Sequence, residues 1–252
     1  MRFVTFEQGG RRRLGTILDD RIVDLPGLVG HPAFPTSLES LVQRNGGTLM
    51  PAARAALERG DVDGFVVAEP HLLPPVLPVT LRSPDATDAQ RPLLGPDAVV
   101  PWPADAGWLE LRPKLVVVLG RPLDRAVPDE VRAAIFGFAL LADWRAVAAD
   151  GDPTRADRAP LSIGPWVETA FAPSTATLRV VVDGAPFLER ELRGAGERLV
   201  EDVATASRLL PLSPGDAFAS APLAPGEHRL WPGARVEMAV DGLGVLVVRV
   251  GR

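Results

Sequence analysis

Short stretches in which apolar and polar residues alternate run through much of the chain and predict β-strands. At the N-terminus, residues 2–6 alternate, Gly9-Gly10 provides a turn, and residues 14–18 return, so the pattern over 1–25 predicts a β-hairpin followed by a further strand. Further along, residues 177–182 alternate and lead into Asp183-Gly184, a second hairpin turn.

Continuous apolar runs predict strands that are buried on both faces. Residues 115–119 form one such run and residues 137–142 form another. Three further strands are predicted towards the C-terminus, at 216–220, 235–240 and 245–250.

Four segments have helical spacing of apolar residues or helix-terminal residues. They are 37–42, which begins with a capping serine, 51–59, which has proline in its first turn, 129–135 and 197–210. Because strands outnumber helices, we expect an α+β protein dominated by non-local strand pairing.

The distribution of proline divides the chain into three parts. Residues 1–70 are expected to form a small N-terminal α/β domain, 71–107 a proline-rich linker, and 108–252 a strand-rich domain. The segment 148–160 is polar and is expected to be a mobile loop or lid.

Composition excludes several functional classes. The 252 residues carry a net charge of −5 and no basic stripe, so nucleic acid is not an expected partner. Cysteine is absent, which excludes disulfides, zinc–thiolate sites and thiol nucleophiles. No apolar run approaches the roughly 20 residues of a membrane span. We therefore expect a cytoplasmic protein without a membrane partner.

Six short motifs, in order, resemble those of the fumarylacetoacetate hydrolase (FAH) family. The motifs occupy 108–121, 137–143, 163–166, 182–184, 213–218 and 231–246. The resemblance implies a mixed β-roll in the C-terminal domain and a homodimer. It also implies activity on small enolisable oxo acids or β-dicarbonyl compounds, by C–C cleavage, decarboxylation, hydration or tautomerisation.

In this family, Mg²⁺ or Mn²⁺ is bound by an E-x-E pair and a later aspartate, because hard cations require anionic oxygen ligands. Here the pair reads Arg112 and Lys114, the only lysine in the chain, and only Asp143 remains acidic. Glu110, two residues before Arg112, is the only other plausible residual ligand. We therefore expect no cofactor.

The resemblance also suggests what these cations could do. Lys114, Asp143 and Arg112 are the candidate catalytic residues, with the ammonium group holding a substrate enolate or carboxylate. Arg145 is a candidate for binding a substrate carboxylate. Arg155, which falls near the position of an active-site lysine of the family, is a further candidate for binding the substrate. In another interpretation, Lys114 or Arg112 pairs with Asp143 and fills an inactive site. Trp144 and Trp166 are expected to line the pocket or to lie in the core.

Three functions remain open from the sequence. The leading hypothesis is a metal-independent hydrolase, lyase or decarboxylase of the family, acting in specialised (secondary) metabolism. The second is a non-catalytic binding or assembly subunit. The third is a cyclase for a larger, polyketide-like substrate, which would act mainly through the shape of an enlarged cavity.

Overall fold

A computed structural model describes residues 1–44, 47–84, 91–150, 159–224 and 229–252. The strands are β1 (Arg2–Gln8), β2 (Arg11–Leu18), β3 (Arg21–Asp24), β4 (His71–Leu73), β5 (Leu81–Arg82), β6 (Leu93–Leu94), β7 (Val99–Val100), β8 (Ala106–Leu119), β9 (Ile135–Ala148), β10 (Leu161–Glu168), β11 (Thr177–Val182), β12 (Ala185–Glu191), β13 (Ala217–Ala219), β14 (Arg229–Leu230), β15 (Arg235–Val240) and β16 (Gly244–Val250). The helices are α1 (Leu25–Val29), α2 (Leu38–Gln43), α3 (Leu49–Glu58), α4 (Pro128–Ala134) and α5 (Ala195–Leu209).

Strands β8 and β9 form a long antiparallel pair at the centre of the molecule. The end of β8 is connected to the start of β9 through α4. This helix begins at Pro128, and the fixed φ of proline suits the first position of a helix. The backbone N–H of Val127 donates to the Glu130 carboxylate and so satisfies one exposed donor at this helix end. The pairing aligns Arg112 with Asp143 directly across the two strands.

Two sheets organise the described part of the chain. The larger has the order β3-β2-β1-β10-β9-β8-β13-β5, with β4, β6 and β14 paired to its sides. The smaller has the order β12-β11-β15-β16-β7. The N-terminal hairpin joins the larger sheet through β1, which pairs antiparallel with β10.

The central pair of strands separates two hydrophobic cores because side chains alternate between the faces of a strand. Leu111, Leu115 and Trp144 lie in the core shared with the smaller sheet and α5. Val116 and Leu141 lie in the core shared with the N-terminal strands and α2. The polar residues at even positions of β8 therefore share a face with the second core.

The α+β class is confirmed, and several elements lie where the pattern placed them. Strand β15 matches its predicted bounds, and α2 begins after Ser37, whose hydroxyl accepts a hydrogen bond from the Ser40 N–H. The family motif at 163–166 lies within strand β10. The division into three parts stays a prediction, although 71–107 contains four short strands.

None of the helices in the described ranges is long and apolar enough to cross a bilayer.

Candidate functional site

Asp143 is the centre of a buried cluster of charged side chains. The carboxylate is 1% exposed and lies on β9, opposite Arg112 of β8. The Nη1 of Arg91 donates to its Oδ1 at 2.7 Å. At Oδ2, the Nζ of Lys114 lies 3.0 Å away and Nη1 of Arg112 lies 3.5 Å away. Three cations therefore contact one carboxylate.

Lys114 is completely buried and is held from two directions. Its side chain has no exposed surface. Its Nζ faces Asp143 on one side and donates a hydrogen bond of 3.0 Å to the hydroxyl of Ser83 on the other. A buried ammonium group is stable only when its donors meet acceptors or anions, and these contacts meet that requirement.

Arg91 connects the carboxylate to the neighbouring backbone. Its Nε donates to the carbonyl of Ala159 at 2.7 Å, and its Nη2 donates to the carbonyls of Trp144 and Pro160. The planar guanidinium presents several donors in fixed directions, so one side chain can satisfy these acceptors and Asp143 together. Arg91 therefore fastens the segment before β6 to β9 and to the residues that lead into β10.

Burial and charge act in opposite directions on Asp143. Burial alone would raise the pKa of its carboxyl, because desolvation penalises the charged form. The charges of Lys114 and Arg91, and their hydrogen bonds, outweigh that effect and lower the pKa below its ordinary value. Asp143 is therefore an ionised carboxylate at neutral pH, suited to orienting a cation.

Two more charged residues extend the cluster along the same face of the sheet. Glu110 and Arg145 are paired across β8 and β9, next to Arg112 and Asp143. Glu110 accepts a hydrogen bond of 3.3 Å from the indole N–H of Trp108. The Nε of Arg145 is buried and donates no hydrogen bond. An unsatisfied buried donor is costly, so Arg145 is the group in this cluster with most to gain from an added acceptor.

The other predicted site residues are not brought to this cluster. Trp144 is fully buried in the core on the opposite face, where its indole N–H donates to Ser162 at 3.0 Å. Trp166 lies on β10, and the guanidinium carbon of Arg2 lies over its indole ring, 5.2 Å from the centroid of that ring. Arg155 and most of the predicted loop 148–160 lie outside the described residues.

Two members of the cluster, Arg91 and Ser83, are absent from the sequence-based prediction. Both lie in the segment predicted to be a linker, and Arg91 is 52 residues from Asp143 along the chain. A single arginine before a proline has no periodicity or motif that indicates a partner so far away. The polar residues between Ser83 and Arg91, just before the apolar Leu93-Leu94, are the nearest sequence indication of a polar contact in this segment.

A comparison with models of known protein families assigns this chain to one of them. Residues 83–251, about two thirds of the chain, match the family described as fumarylacetoacetate (FAA) hydrolase C-terminal. The chain therefore belongs to the fumarylacetoacetate hydrolase family.

Individual relatives support the same assignment. Protein Rv2993c of Mycobacterium tuberculosis is 26% identical over 201 residues, which cover 74% of this chain and 72% of the relative. The structure of maleylpyruvate hydrolase from Sphingobium sp. SYK-6 has a TM-score of 0.78 and 25% identity, covering 100% of this chain and 99% of that one. A 5-carboxymethyl-2-hydroxymuconate delta-isomerase from Mycobacterium smegmatis shares the fold, with a TM-score of 0.74, 20% identity and 100% coverage of both chains.

The prediction that no cofactor is used is contradicted by a second structure of the maleylpyruvate hydrolase. That protein was solved with a manganese(II) ion and pyruvate, and its fold matches this chain with a TM-score of 0.77, 24% identity and coverage of 100% and 99%. A divalent metal is therefore the cofactor that the comparisons support for the family.

The side chains around Asp143 do not fit such an ion. A hard cation needs several oxygen ligands, whereas Arg91, Arg112 and Lys114 surround this carboxylate. Across the described ranges, no group of three His, Cys, Asp or Glu side chains is placed to hold a metal.

Proposed function

We propose that this protein is an enzyme of the FAH family that acts on a small enolisable 2-oxo or β-dicarbonyl acid. The observation that carries the proposal is the Lys114–Asp143 pair, which fixes the only ammonium side chain of the protein at 3.0 Å from a carboxylate. This pair lies where the motifs of the family converge on strands β8 and β9. Relatives named as a hydrolase and as an isomerase of oxo acids or their enol forms support the class of substrate.

Lys114 has the role of a fixed positive charge. When a 2-oxo or dicarbonyl compound reacts through its enolate, negative charge develops on oxygen, and a pre-positioned cation stabilises that charge without reorganising in water. Asp143 positions the ammonium group, and its lowered pKa keeps it anionic while it does so. Lys114 is thus the proposed catalytic residue, and Asp143 is a positioning residue.

Arg112 and Arg145 are the proposed ligands of the substrate carboxylate. Arg112 is the most accessible of the three cations at Asp143, with 17% of its side chain exposed against 10% for Arg91. Arg145 lies diagonally across the strands from Arg112 and has a buried Nε that needs an acceptor. Guanidinium groups bind carboxylates in a fixed, often two-pronged geometry, which suits them to this role.

Removing the Lys114 charge tests the proposal. Purified protein supplied with Mn²⁺ would be assayed against acetylpyruvate, maleylpyruvate and oxaloacetate, and Lys114→Met would be compared with the wild type. We expect turnover of at least one of these acids and a loss of about a hundredfold in the variant, the usual effect of removing one group that stabilises a developing oxyanion. Arg132→Met on the exposed surface of α4 is the control and should keep full activity. Full activity in Lys114→Met would refute the role.

A second candidate is a non-catalytic subunit, and the closed state of the cluster favours it. Both oxygens of Asp143 face cations, and Lys114 is inaccessible to solvent. Such a cluster can serve as a purely structural ion network. In that case the wild type turns over none of the three acids, while Lys114→Met lowers the melting temperature strongly. The cyclase hypothesis has less support, because the cavity of about 400 Å³ between the end of β12 and the start of α5 is lined by several charged side chains rather than by apolar ones alone.

A homodimer, a cytoplasmic location and a role in specialised metabolism stay predictions. Sedimentation equilibrium would test the first, since a monomer has a mass of 26.8 kDa and a dimer twice that value. A single species at the monomer mass would contradict it.

A further inference from the structure

A tryptophan that is open to solvent lies at one end of the charged face, the face of β8 and β9 that carries Lys114, Arg112 and Asp143. Trp231 directly follows β14 and is 60% exposed. Tryptophan side chains are largely buried on average, and they are enriched at interfaces because they combine a large apolar ring with a polar edge. The exposed ring of Trp231 is therefore a candidate contact for a ligand.

The register of β14 on β8 places this end of the molecule on the charged face. The two strands are antiparallel, with Arg229 opposite Glu110 and Leu230 opposite Leu109. Both leucines lie in the core shared with the smaller sheet. Since side chains alternate between the faces of a strand, Arg229 and Glu110 point to the opposite side, which is the charged face.

Two tryptophans and one arginine occupy the end of this face. The guanidinium carbon of Arg229 lies over the ring of Trp108, 4.0 Å from its centroid, in a cation–π contact. The indole N–H of Trp108 donates to Glu110. Trp231 comes directly after the paired residues of β14, so the register continues towards Trp108. The Trp108 ring is thus already engaged, whereas Trp231 offers open aromatic surface beside it.

Arg145 supplies an unused donor on the same face. It lies opposite Glu110 across β8 and β9, and its buried Nε has no acceptor. Glu110 therefore lies between two guanidinium groups, those of Arg145 on β9 and Arg229 on β14. One carboxylate between two arginines leaves this row of side chains with a net positive charge. The row therefore favours an anionic ligand that can accept a hydrogen bond from Arg145.

The unused donor and the open ring are close enough for one small ligand to reach both. The row of Arg145 and Glu110 is two residues from Trp108 along β8, a distance of about 7 Å. A carboxylate and an aromatic ring joined by a short carbon chain match that spacing.

From this arrangement we infer that the charged face binds an aromatic acid, with its carboxylate on Arg145 and its ring against Trp231. The inference rests on the proposed function, because it uses Arg145 as a ligand of the substrate carboxylate. It deepens that function by narrowing the substrate class to oxo acids that carry an aryl group.

Three matched ligands test the inference by calorimetric titration. The acids 3-phenylpropanoate and 3-cyclohexylpropanoate differ only in the aromaticity of the ring, and 3-phenylpropanamide replaces the carboxylate with a neutral amide. We expect the wild type to bind 3-phenylpropanoate about fivefold more tightly than the cyclohexyl acid, the scale of one aromatic pair. We expect it to bind the same acid about tenfold more tightly than the amide, the scale of one charge-assisted hydrogen bond.

Two variants connect these preferences to their residues. Trp231→Leu should abolish the preference for the phenyl ring and keep the preference for the carboxylate, and Arg145→Gln should do the reverse. Leu209→Ala, at a position on α5 that is 82% exposed, is the control and should keep both preferences. Equal affinity of the wild type for the three ligands, binding of none of them, or a phenyl preference that survives in Trp231→Leu overturns the inference.

Lys114→Met separates this inference from the proposed function. The three ligands have no oxo group, so their binding does not depend on the role proposed for Lys114. If Lys114→Met loses turnover of oxo acids while the wild type shows neither preference, the aromatic site is wrong and the role of Lys114 stands. If both preferences hold while Lys114→Met keeps full turnover, the aromatic site stands and the role of Lys114 fails.

Discussion

At the residue scale, one carboxylate and three cations dominate the described interior. Burial disfavours the charged form of the Asp143 carboxyl, and the positive charges of Lys114 and Arg91 outweigh that cost. Removing Asp143 takes away the one carboxylate that Lys114, Arg91 and Arg112 share, and such a loss is costly for buried charges. The cluster is therefore sensitive to single substitutions.

The pKa of Asp143 leads to a prediction about acid stability. Its folded-state pKa lies below the unfolded value of about 3.9, so its ionisation contributes stability that is complete above about pH 4 and is lost as the pH falls towards the folded pKa. Asp143→Asn should cost about 3–5 kcal/mol at neutral pH, as expected for breaking a buried ion pair.

Urea unfolding of the wild type and Asp143→Asn over a series of pH values measures this contribution. The difference in unfolding free energy should be constant from about pH 7 to pH 5 and should shrink below about pH 4. Asp61→Asn is a control for the loss of an exposed aspartate. A difference that stays constant into strong acid would contradict the assigned pKa shift.

Part of this cluster is predictable from the sequence, and part of it is not. Arg112 and Lys114 fall two residues apart, which places them on one face of a strand, and a family motif indicates that Asp143 is near. Arg91 and Ser83 cannot be predicted in this way because their contacts with Asp143 and Lys114 join positions 52 and 31 residues apart along the chain. Trp144 follows Asp143 by one residue, and strand alternation sends it into the opposite core.

At the element scale, apolar runs predict where strands exist better than where they end. The run at 115–119 marks only the buried end of β8, which begins at Ala106. Its first half contains Glu110, Arg112 and Lys114, polar residues that sequence pattern assigns to loops or exposed faces. They belong to the strand because β9 pairs with it along its length and offers Asp143 opposite Arg112.

Ser207 provides a test of how α5 is attached to the rest of the molecule. It is fully buried, accepts a hydrogen bond of 2.9 Å from the N–H of Ala126, and donates to the carbonyl of Ala204. Ser207→Ala leaves the Ala126 donor unsatisfied and should destabilise the protein by about 1–3 kcal/mol. Thr205→Ala, on the exposed side of the same helix, should change the free energy of unfolding by less than about 0.5 kcal/mol.

Chemical unfolding of the two variants measures both values. If the two substitutions have the same effect, Ser207 is not the anchor that fixes α5 to the loop before α4.

At the scale of the whole molecule, both cores depend on the same central strands. The N-terminal hairpin extends the larger sheet through β1. The smaller sheet and α5 pack against one face of the central strands β8 and β9. Six motifs in the order of the family are enough to predict this fold class. The strand order is not available from local patterns, because pairings such as β1 with β10 join residues more than 160 positions apart.

The charged cluster lies at the centre of this arrangement, on the two strands that contact both cores. Its position links the fold to the proposed function, since the scaffold that buries Asp143 also fixes the direction in which Lys114 points. The central claim is that a small oxo acid binds at this cluster.

A crystal structure of the protein soaked with pyruvate and Mn²⁺ tests that claim most directly. We expect pyruvate to bind with its oxo oxygen within hydrogen-bond distance of Lys114 Nζ and its carboxylate on Arg112 or Arg145. A cluster that stays closed, with pyruvate bound elsewhere or not at all at concentrations that saturate a catalytic site, would contradict it and favour the non-catalytic subunit.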